Sequence, residues 1–214
     1  MVLLNQAQHK CCDTAITENN MPESPNPIQR FAEIFAQVQK VVLPEPTAMV
    51  LATVGAEGRP SARVVLLKGF DENGLIFYTN LESRKGRELA VNPLAALCFH
   101  WPPLEQQVRV EGRVERVSDA EANVYFASRP RGAQIGAWAS RQSRALAARE
   151  ELEARVKAVE EKFAGAEVPR PPFWSGFRVI PERMEFWQSC VSRLHDRAVY
   201  VQQNGAWVIE KLYP

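Results

Sequence analysis

The chain has 214 residues, 46% of them hydrophobic and 24% charged, so it can bury a substantial core, which we expect to form one domain. Its formal net charge of +1 excludes the global basic field of a nucleic-acid binder and leaves only local clusters of arginine and lysine as anion sites. No apolar run approaches the roughly 20 residues that span a bilayer, and the N-terminus lacks the apolar stretch of a secretory signal, so we expect a cytosolic protein.

Residues 1–26 are polar and contain proline and asparagine, which predicts a flexible N-terminal leader before a single domain over 27–214. His9, Cys11 and Cys12 could in principle hold a metal, although a disordered tail is the simpler interpretation. The four cysteines include no CxxC pair, so the pattern favours neither a disulfide framework nor a structural zinc site. We predict no metal.

The first part of the domain predicts one helix and a block of strands. Apolar residues at helical spacing indicate an amphipathic helix over 28–42, which Pro44 and Pro46 should end. Three apolar segments separated by turn residues predict antiparallel strands in meander order. These strands are 48–54, 62–70 and 75–79.

Capping patterns and alternating apolar residues predict the elements that follow. Ser83 should cap a helix that runs to Val91, and Ser118 should cap a second helix. A third helix is predicted over 142–163, which is rich in Ala, Glu, Arg and Leu. Apolar or alternating segments predict the remaining strands, with Asn204-Gly205 as a hairpin turn. They are 94–101, 107–117, 176–180, 183–188, 197–202 and 207–212.

Two blocks of strands with helices inserted between them are typical of an α+β protein. Closure of the sheet into a barrel would hide strand edges that are otherwise exposed. The expected fold is therefore α+β, a mainly antiparallel β-barrel with flanking helices.

The segment 193–197 reads Arg-Leu-His-Asp-Arg. If it is a strand, Arg193, His195 and Arg197 lie on one face, with neighbours roughly 7 Å apart. Two cations and an imidazole on one face repel each other, which favours an anionic or electron-rich ligand above them. An exposed edge strand with two solvated arginines is the alternative, and the segment alone does not decide between the two.

Two further segments place cations where an anion could bind. Arg63 and Lys68 stand at an odd separation in an apolar strand, so they should face opposite sides and serve different partners, unless both simply reach solvent. Arg84 and Lys85 follow the capping Ser83 at the start of a helix. Cations there oppose the helix dipole, which favours a bound phosphate as the compensating charge.

A fourth segment surrounds the predicted end of the helix that Ser118 caps. Tyr125 and Arg129, with Gln142 and Ser143 downstream, could hold a second phosphate. A solvated helix end is the alternative, and spacing does not choose between them.

Together these segments resemble the pyridoxine (pyridoxamine) 5′-phosphate oxidase family over 27–214. The matching stretches occur in the family's order and spacing. They are Pro46-Thr47-Ala48-Met49-Val50, Arg63 to Lys68, Phe77-Tyr78-Thr79-Asn80, Ser83-Arg84-Lys85, Ser128-Arg129-Pro130, Gln134-Ile135-Gly136-Ala137-Trp138, Glu185-Phe186-Trp187-Gln188 and Arg193 to Arg197. The resemblance implies an FMN-binding split β-barrel that acts as a homodimer, with each flavin at the subunit interface.

The resemblance also implies a role for each matching residue. Those implied to bind FMN are Arg63, Val64, Val65, Leu66, Leu67, Lys68, Tyr78, Thr79, Arg84, Lys85, Gln107, Gln142, Ser143, Trp187 and Arg197. Those implied to bind the substrate are Lys68, Tyr125, Arg129, Ala133, Arg193, Leu194 and His195, with Lys68, Tyr125 and Arg129 on its phosphate. Arg193 and His195 are the implied catalytic residues, Arg193 positioning the substrate over the flavin and His195 assisting orientation or proton movement.

The implied activity is that of a pyridoxal 5′-phosphate synthase in vitamin B6 biosynthesis and salvage. Pyridoxamine or pyridoxine 5′-phosphate passes a hydride to flavin N5, and oxygen reoxidises the flavin with release of hydrogen peroxide, and of ammonia from the amine. The chain departs from the family pattern at Ala133, where a serine is common, and at 189–192, which is often glycine-rich. A non-catalytic binder of FMN or pyridoxal phosphate, and a flavin oxidase for another ring, are the alternatives.

Overall fold

The computed structural model describes residues 24–214, so His9, Cys11, Cys12 and nearly all of the expected leader lie outside the described residues. The helices are α1 (Pro27–Val38), α2 (Arg84–Val91), α3 (Asp119–Ser128), α4 (Arg131–Ala139) and α5 (Arg149–Lys162). The strands are β1 (Ala48–Val54), β2 (Pro60–Leu66), β3 (Gly69–Asp71), β4 (Gly74–Asn80), β5 (Leu94–Trp101), β6 (Gln106–Arg116), β7 (Trp174–Gln188), β8 (Asp196–Gln203) and β9 (Ala206–Lys211). Over the described range, no helix is both long and apolar enough to cross a membrane, and no group of three or more His, Cys, Asp or Glu residues could hold a metal.

The strands of the described chain form one antiparallel sheet in the order β2-β1-β5-β6-β7-β4-β3, with β8 on β7 and β9 on β8. Strand β7 pairs with β6 along most of its length, with β4 through its first half and with β8 through its second half. The sheet with its flanking helices confirms the expected α+β class and mainly antiparallel, barrel-like arrangement.

The expected meander of the first three strands is wrong, because the segment predicted as one strand over 62–70 is two strands. The N–H of Leu67 donates to the carbonyl of Thr47 beside β1 at 2.9 Å, whereas the N–H of Lys68 donates to the carbonyl of Ile76 in β4 at 2.8 Å. The chain therefore crosses from one edge of the sheet to the other between these two residues. Lys68 lies at this crossing and not in a continuous strand with Arg63, so the argument from odd spacing does not apply.

Helix α1 covers the main core of the sheet. Asn26 caps it through hydrogen bonds to its first turn, and Phe31 and Phe35 pack against Phe70, Phe99 and Trp101 at ring-centroid distances of 5.1 to 6.2 Å. The helix ends at Val38, its last buried residue, and not at residue 42 as expected. Val41 and Val42 continue the helical spacing of apolar residues, but Val41 is only half-buried and Val42 is 97% exposed. No buried contact therefore extends the helix toward the prolines.

The middle helices differ most from the expected pattern. Helix α4 was not predicted, because Pro130 before it and two glycines within it indicate a loop on local propensity. Helix α5 begins at Arg149 and not at residue 142, since Ser143 has a φ of +66°, and Glu150 and Glu151 stabilise the start of the helix at its first turn. The pair of strands predicted over 176–188 is the single strand β7, which runs through Pro181 and has a bulge at Glu182, opposite Glu111 and Gly112 of β6.

Gly112 is required at that bulge, because a Cβ there would lie 1.9 Å from the carbonyl oxygen of Ile180. We predict that Gly112→Ala lowers the free energy of unfolding by about 2 kcal/mol or more, since backbone must move to relieve the contact. Gly132→Ala in α4 is the matched control, as nothing lies within 4 Å of its added Cβ, and it should be neutral or stabilising. Urea unfolding of both variants measures the difference, and equal stabilities would contradict this account of the bulge.

Candidate active site

A cavity of about 470 Å³ lies between the sheet and helices α2, α3 and α4. Its lining includes Lys68, Lys85 and Arg129, and among the described residues no aspartate or glutamate lines it. The cavity brings together eleven of the residues expected from the sequence. They are Val64, Val65, Leu66, Lys68, Tyr78, Thr79, Lys85, Tyr125, Arg129, Ala133 and Gln142. Surplus positive charge in a partly enclosed space favours an anionic ligand.

Lys85 is a buried cation at the start of α2, where the side chain of Ser83 caps the first turn as expected. Its Nζ donates to Oγ1 of Thr79 at 3.2 Å and to Oε1 of Gln142 at 3.1 Å. Burial, assisted by the charge of Arg63, lowers the pKa of Lys85. Because its two hydrogen-bond acceptors are neutral, the ammonium can pair with an incoming phosphate without first losing a carboxylate.

Arg129 occupies another wall of the cavity. Its guanidinium lies over the ring of Trp174 at 4.8 Å and near that of Phe126 at 5.6 Å. Its Nη1 atom is buried and has no hydrogen-bond partner in the described part of the chain. A buried donor without a partner is costly, and an oxygen-rich ligand in the cavity would satisfy it.

Stacked aromatic rings form a flat wall beside Arg129. The ring of Tyr78 stacks on Tyr125 at 3.9 Å and on Trp174 at 5.3 Å between centroids. Burial, and then the charge of Glu121, raises the pKa of Tyr78 to about 12. The phenol therefore stays protonated at neutral pH and can donate a hydrogen bond.

Four of the expected FMN residues from this region lie outside the cavity lining. Leu67 is buried in the main core, and Ser143 is exposed beside Gln142. Arg63 and Arg84 meet instead at one buried carboxylate, that of Glu88. Nη2 of Arg63 lies 3.2 Å from Oε2 of Glu88, and Nε of Arg84 donates to Oε1 at 2.8 Å. The hydroxyls of Thr53 and Ser61 each donate to Oε2 at 2.6 Å.

Glu88 was not singled out from the sequence, although its position four residues after Arg84 was a usable signal. Burial alone would raise the pKa of this carboxyl. The hydrogen bonds from Ser61, Thr53 and Arg84, together with the charge of Arg63, outweigh burial and lower the pKa to about 2. Two arginines around one ionised carboxylate leave one net positive charge next to Lys85. The arrangement fixes both guanidiniums and still attracts an anion.

The remaining FMN residues form a second group, which we call the cross-strand row: Gln107, Trp187 and Arg197. The three residues are register partners on β6, β7 and β8 and so share one face of the sheet. The guanidinium of Arg197 contacts Oε1 of Glu185 through Nε at 2.9 Å and through Nη2 at 2.7 Å. Glu185, which is 2% exposed, is a functional candidate to which the sequence analysis assigned no role. Its signal was an acidic residue directly before Phe186 and Trp187 in a predicted strand.

The cavity and the cross-strand row lie at opposite ends of the same strand. Trp174 in the cavity wall begins β7, and Trp187 lies near its end. At about 3.3 Å per residue, roughly 40 Å of extended strand separates them. None of the residues of the row lines the cavity, so one copy of the chain does not bring the two groups together.

The expectation that Arg193, His195 and Arg197 share a strand face is wrong for the first two. Residues Val191–Arg193 form a 3₁₀ turn, and β8 begins only at Asp196. The N–H of Leu194 donates to the carbonyl of Val191 at 3.2 Å, which closes the turn and prevents extended pairing. Arg193 and Leu194 are exposed.

The turn nonetheless places His195 against the cross-strand row. Its ring lies 4.6 Å from that of Trp187, and its Nδ1 accepts a hydrogen bond from the N–H of Cys190 at 3.3 Å. Ser192 and Arg193 have φ values of +56° and +61°. Two successive left-handed residues without glycine are strained, which is common in segments that position functional groups.

Comparison with known proteins gives matches over nearly all of the described chain. A family model described as pyridoxamine 5′-phosphate oxidase matches residues 35–163. A second, described as the C-terminal dimerisation region of pyridoxine 5′-phosphate oxidase, matches residues 174–214. A pyridoxine/pyridoxamine 5′-phosphate oxidase of Myxococcus xanthus (strain DK1622) is 65% identical over 190 residues, which cover 89% of this chain and 92% of the relative.

Solved structures agree on the fold. PhzG from Burkholderia lata 383, in complex with tetrahydrophenazine-1-carboxylic acid, superposes with a TM-score of 0.86 at 32% identity, covering 94% of this chain and 98% of that one. A pyridoxamine 5′-phosphate oxidase-related, FMN-binding protein from Nostoc punctiforme superposes with a TM-score of 0.69 at 18% identity, covering 87% and 96%. Because its sequence identity is only 18%, the Nostoc protein supports a shared split-barrel fold and nothing more.

The low pKa of Glu88 predicts a pH-dependent contribution to stability. Because the folded-state pKa of about 2 lies below the ordinary 4.5, the stabilisation is complete above pH 4.5 and is lost as the pH falls toward 2. The difference in free energy of unfolding between the wild type and Glu88→Gln should therefore shrink over that window. Urea unfolding from pH 2 to 7 measures it, with Glu153→Gln on α5 as the control. A difference that stays constant with pH would contradict the assignment.

Proposed function

Since the chain belongs to the pyridoxamine 5′-phosphate oxidase family, we propose that it oxidises pyridoxamine or pyridoxine 5′-phosphate to pyridoxal 5′-phosphate, with FMN as cofactor and oxygen as acceptor. For the amine, the substrate with one O₂ and one water gives the aldehyde, ammonia and hydrogen peroxide. The names of the similar proteins and the match of both family models support this reaction.

The observation that carries the proposal is the charge of the cavity. Lys68, Lys85 and Arg129 line it without an acidic residue among the described lining, beside stacked aromatic rings. Planar ligands that carry a phosphate, as both FMN and the B6 vitamers do, match flat rings next to unpaired cations. Ala133 also lines the cavity and offers no hydroxyl there, so the substrate phosphate relies on the cations and Tyr125.

The two phosphates bind different cations. Lys85 and Thr79, with Arg63 and Arg84 fixed beside them on Glu88, hold the phosphate of FMN. When bound, FMN supplies a two-electron acceptor that oxygen can reoxidise. Lys68, Tyr125 and Arg129 hold the phosphate of the substrate and orient its ring.

A second copy of the chain completes each site. Two residues of the cross-strand row, Trp187 and Arg197, lie in the part of the chain that matches the dimerisation model. The whole row lies far along β7 from the cavity of its own protomer. A homodimer that places the row of one protomer over the cavity of its partner brings Gln107, Trp187 and Arg197 to the flavin. Each dimer then contains two such sites.

Arg193 and His195 act on the substrate in this arrangement. Arg193 is exposed at the tip of the 3₁₀ turn, so its guanidinium is free to reach across the subunit boundary and position the substrate. His195, fixed by Trp187 and the N–H of Cys190, accepts or relays a proton. Their contribution is orientation and charge placement.

A related oxidation of a ring without a phosphate is the second candidate, because PhzG is described in complex with a phenazine carboxylic acid. The three uncompensated cations of the cavity favour the phosphate-bearing vitamer. A phosphate dianion offers these cations more negative charge and more acceptor oxygens than a single carboxylate does.

Anaerobic spectroscopy tests the proposed reaction. The purified protein should show flavin absorbance, and this absorbance should bleach when pyridoxamine 5′-phosphate is added without oxygen and return on aeration with release of peroxide. Tetrahydrophenazine-1-carboxylic acid is the competing substrate. Bleaching by that compound and not by the vitamer would establish the second candidate, and a colourless protein that does not bind added FMN would end both.

Kinetics of two variants separate the proposed roles. Lys68→Ala should raise KM about tenfold with little change in kcat, because a phosphate contact is lost in ground state and transition state alike. Arg193→Leu should lower kcat by tenfold or more while FMN is retained. Lys157→Ala, on the exposed face of α5, is the control. An unchanged kcat/KM in Arg193→Leu would remove that residue from the catalytic machinery.

A further inference from the structure

The site arginines are fixed in two different ways. Arg63 and Arg84 contact the buried carboxylate of Glu88, and Arg197 contacts that of Glu185. Arg129 contacts no carboxylate among the described residues, and aromatic ring faces hold it instead.

This difference decides which charge is available to a ligand. An ion pair neutralises the guanidinium and occupies its N–H donors, which all lie in the guanidinium plane. A ring beneath that plane attracts the charge without accepting those hydrogen bonds. Arg129 is thereby oriented while its donors stay unused, and the buried, unpartnered Nη1 is the direct sign of this.

Trp174 is itself firmly placed. It is 6% exposed, its ring stacks nearly parallel on Tyr78 with an interplanar angle of 10°, and it meets Phe126 edge-on at 5.1 Å. Its carbonyl accepts a hydrogen bond from Nη1 of Arg170 at 2.6 Å. These contacts hold the indole rigidly at the start of β7, where it faces α3.

We propose that Trp174 is a positioning residue which acts through Arg129, and that its ring sets the affinity of the cavity for the substrate phosphate. The proposal rests on the proposed function for the identity of the substrate. It assigns to the first residue of β7 a role in ligand affinity in addition to its place in the core.

A double-mutant cycle on the FMN-loaded enzyme tests this role. Trp174→Met keeps most of the volume and removes the ring face, whereas Trp174→Phe keeps a smaller ring. We expect Trp174→Met to raise KM for pyridoxamine 5′-phosphate about five- to tenfold with kcat within about twofold, and Trp174→Phe to raise KM about twofold. In an Arg129→Ala background neither substitution should raise KM further.

Controls separate this role from a general loss of structure. Trp138→Met removes an aromatic ring that neither lines the cavity nor contacts Arg129, and it should leave KM unchanged. An equal rise of KM in the Arg129→Ala background, or a fall in kcat with KM unchanged, would overturn the proposal. If Trp174→Met does not fold, the same cycle with Trp174→Phe decides.

Calorimetric binding of inorganic phosphate to the same FMN-loaded proteins distinguishes this proposal from the proposed function, because it needs no turnover. Trp174→Met should weaken phosphate binding by the same factor as it raises KM. Absent turnover in the wild type with weakened phosphate binding in the variant would reject the oxidase reaction and retain the role of Trp174. Unchanged phosphate binding in Trp174→Met would reject the role.

Discussion

The length of one strand governs the arrangement of the whole site. Strand β7, with 15 residues, carries the wall of the cavity at one end and the cross-strand row at the other. Its pairing with β6, β4 and β8 keeps it extended, so the two groups cannot approach each other within a protomer. Under the proposed function both groups serve one flavin, and a second copy of the chain resolves that conflict.

The electrostatics of the two groups follow a common plan. A buried carboxylate lies beside each group, Glu88 beside the cavity and Glu185 beside the cross-strand row. Each fixes more than one arginine and so leaves a net positive charge. Removing such a carboxylate would leave the partly buried Arg63 or Arg197 without its charged partner, which is costly. Lys85 and Arg129 differ from these arginines. Neutral hydrogen-bond acceptors hold Lys85 and aromatic rings hold Arg129, so the charge of both residues is left for a ligand.

Features set by local chemistry could be predicted from the sequence. Ser83 and Ser118 cap α2 and α3 as expected, and Asn204 and Gly205 have the positive φ values of a two-residue hairpin between β8 and β9. The clustering of Tyr78, Lys85, Tyr125 and Arg129 around one cavity also agrees with the motif assignment, although the role of each residue stays a prediction.

Features set by tertiary contacts could not be predicted. The break between β2 and β3 depends on hydrogen bonds from Leu67 and Lys68 to opposite edges of the sheet, and nothing local marks it. The turn at Val191–Arg193 interrupts a segment whose alternation resembles a strand. The helical spacing of Glu88 and Arg84 is visible in the sequence, but the contacts of Glu88 with Arg63, Thr53 and Ser61 form only when β1, β2 and α2 converge. Trp174 contacts Arg129 only because α3 brings that guanidinium over its ring.

Complementation between two inactive chains tests most directly whether each site is shared by two protomers. Lys85→Met disables the cavity and Arg193→Leu disables the turn beside the cross-strand row. If they are co-expressed with different affinity tags and the mixed dimer is isolated, one of its two sites receives an intact cavity from one chain and an intact turn from the other. About half the wild-type activity per dimer is the expected result. A mixed dimer no more active than the two parental homodimers would show that both groups serve one chain's own site, which contradicts the account.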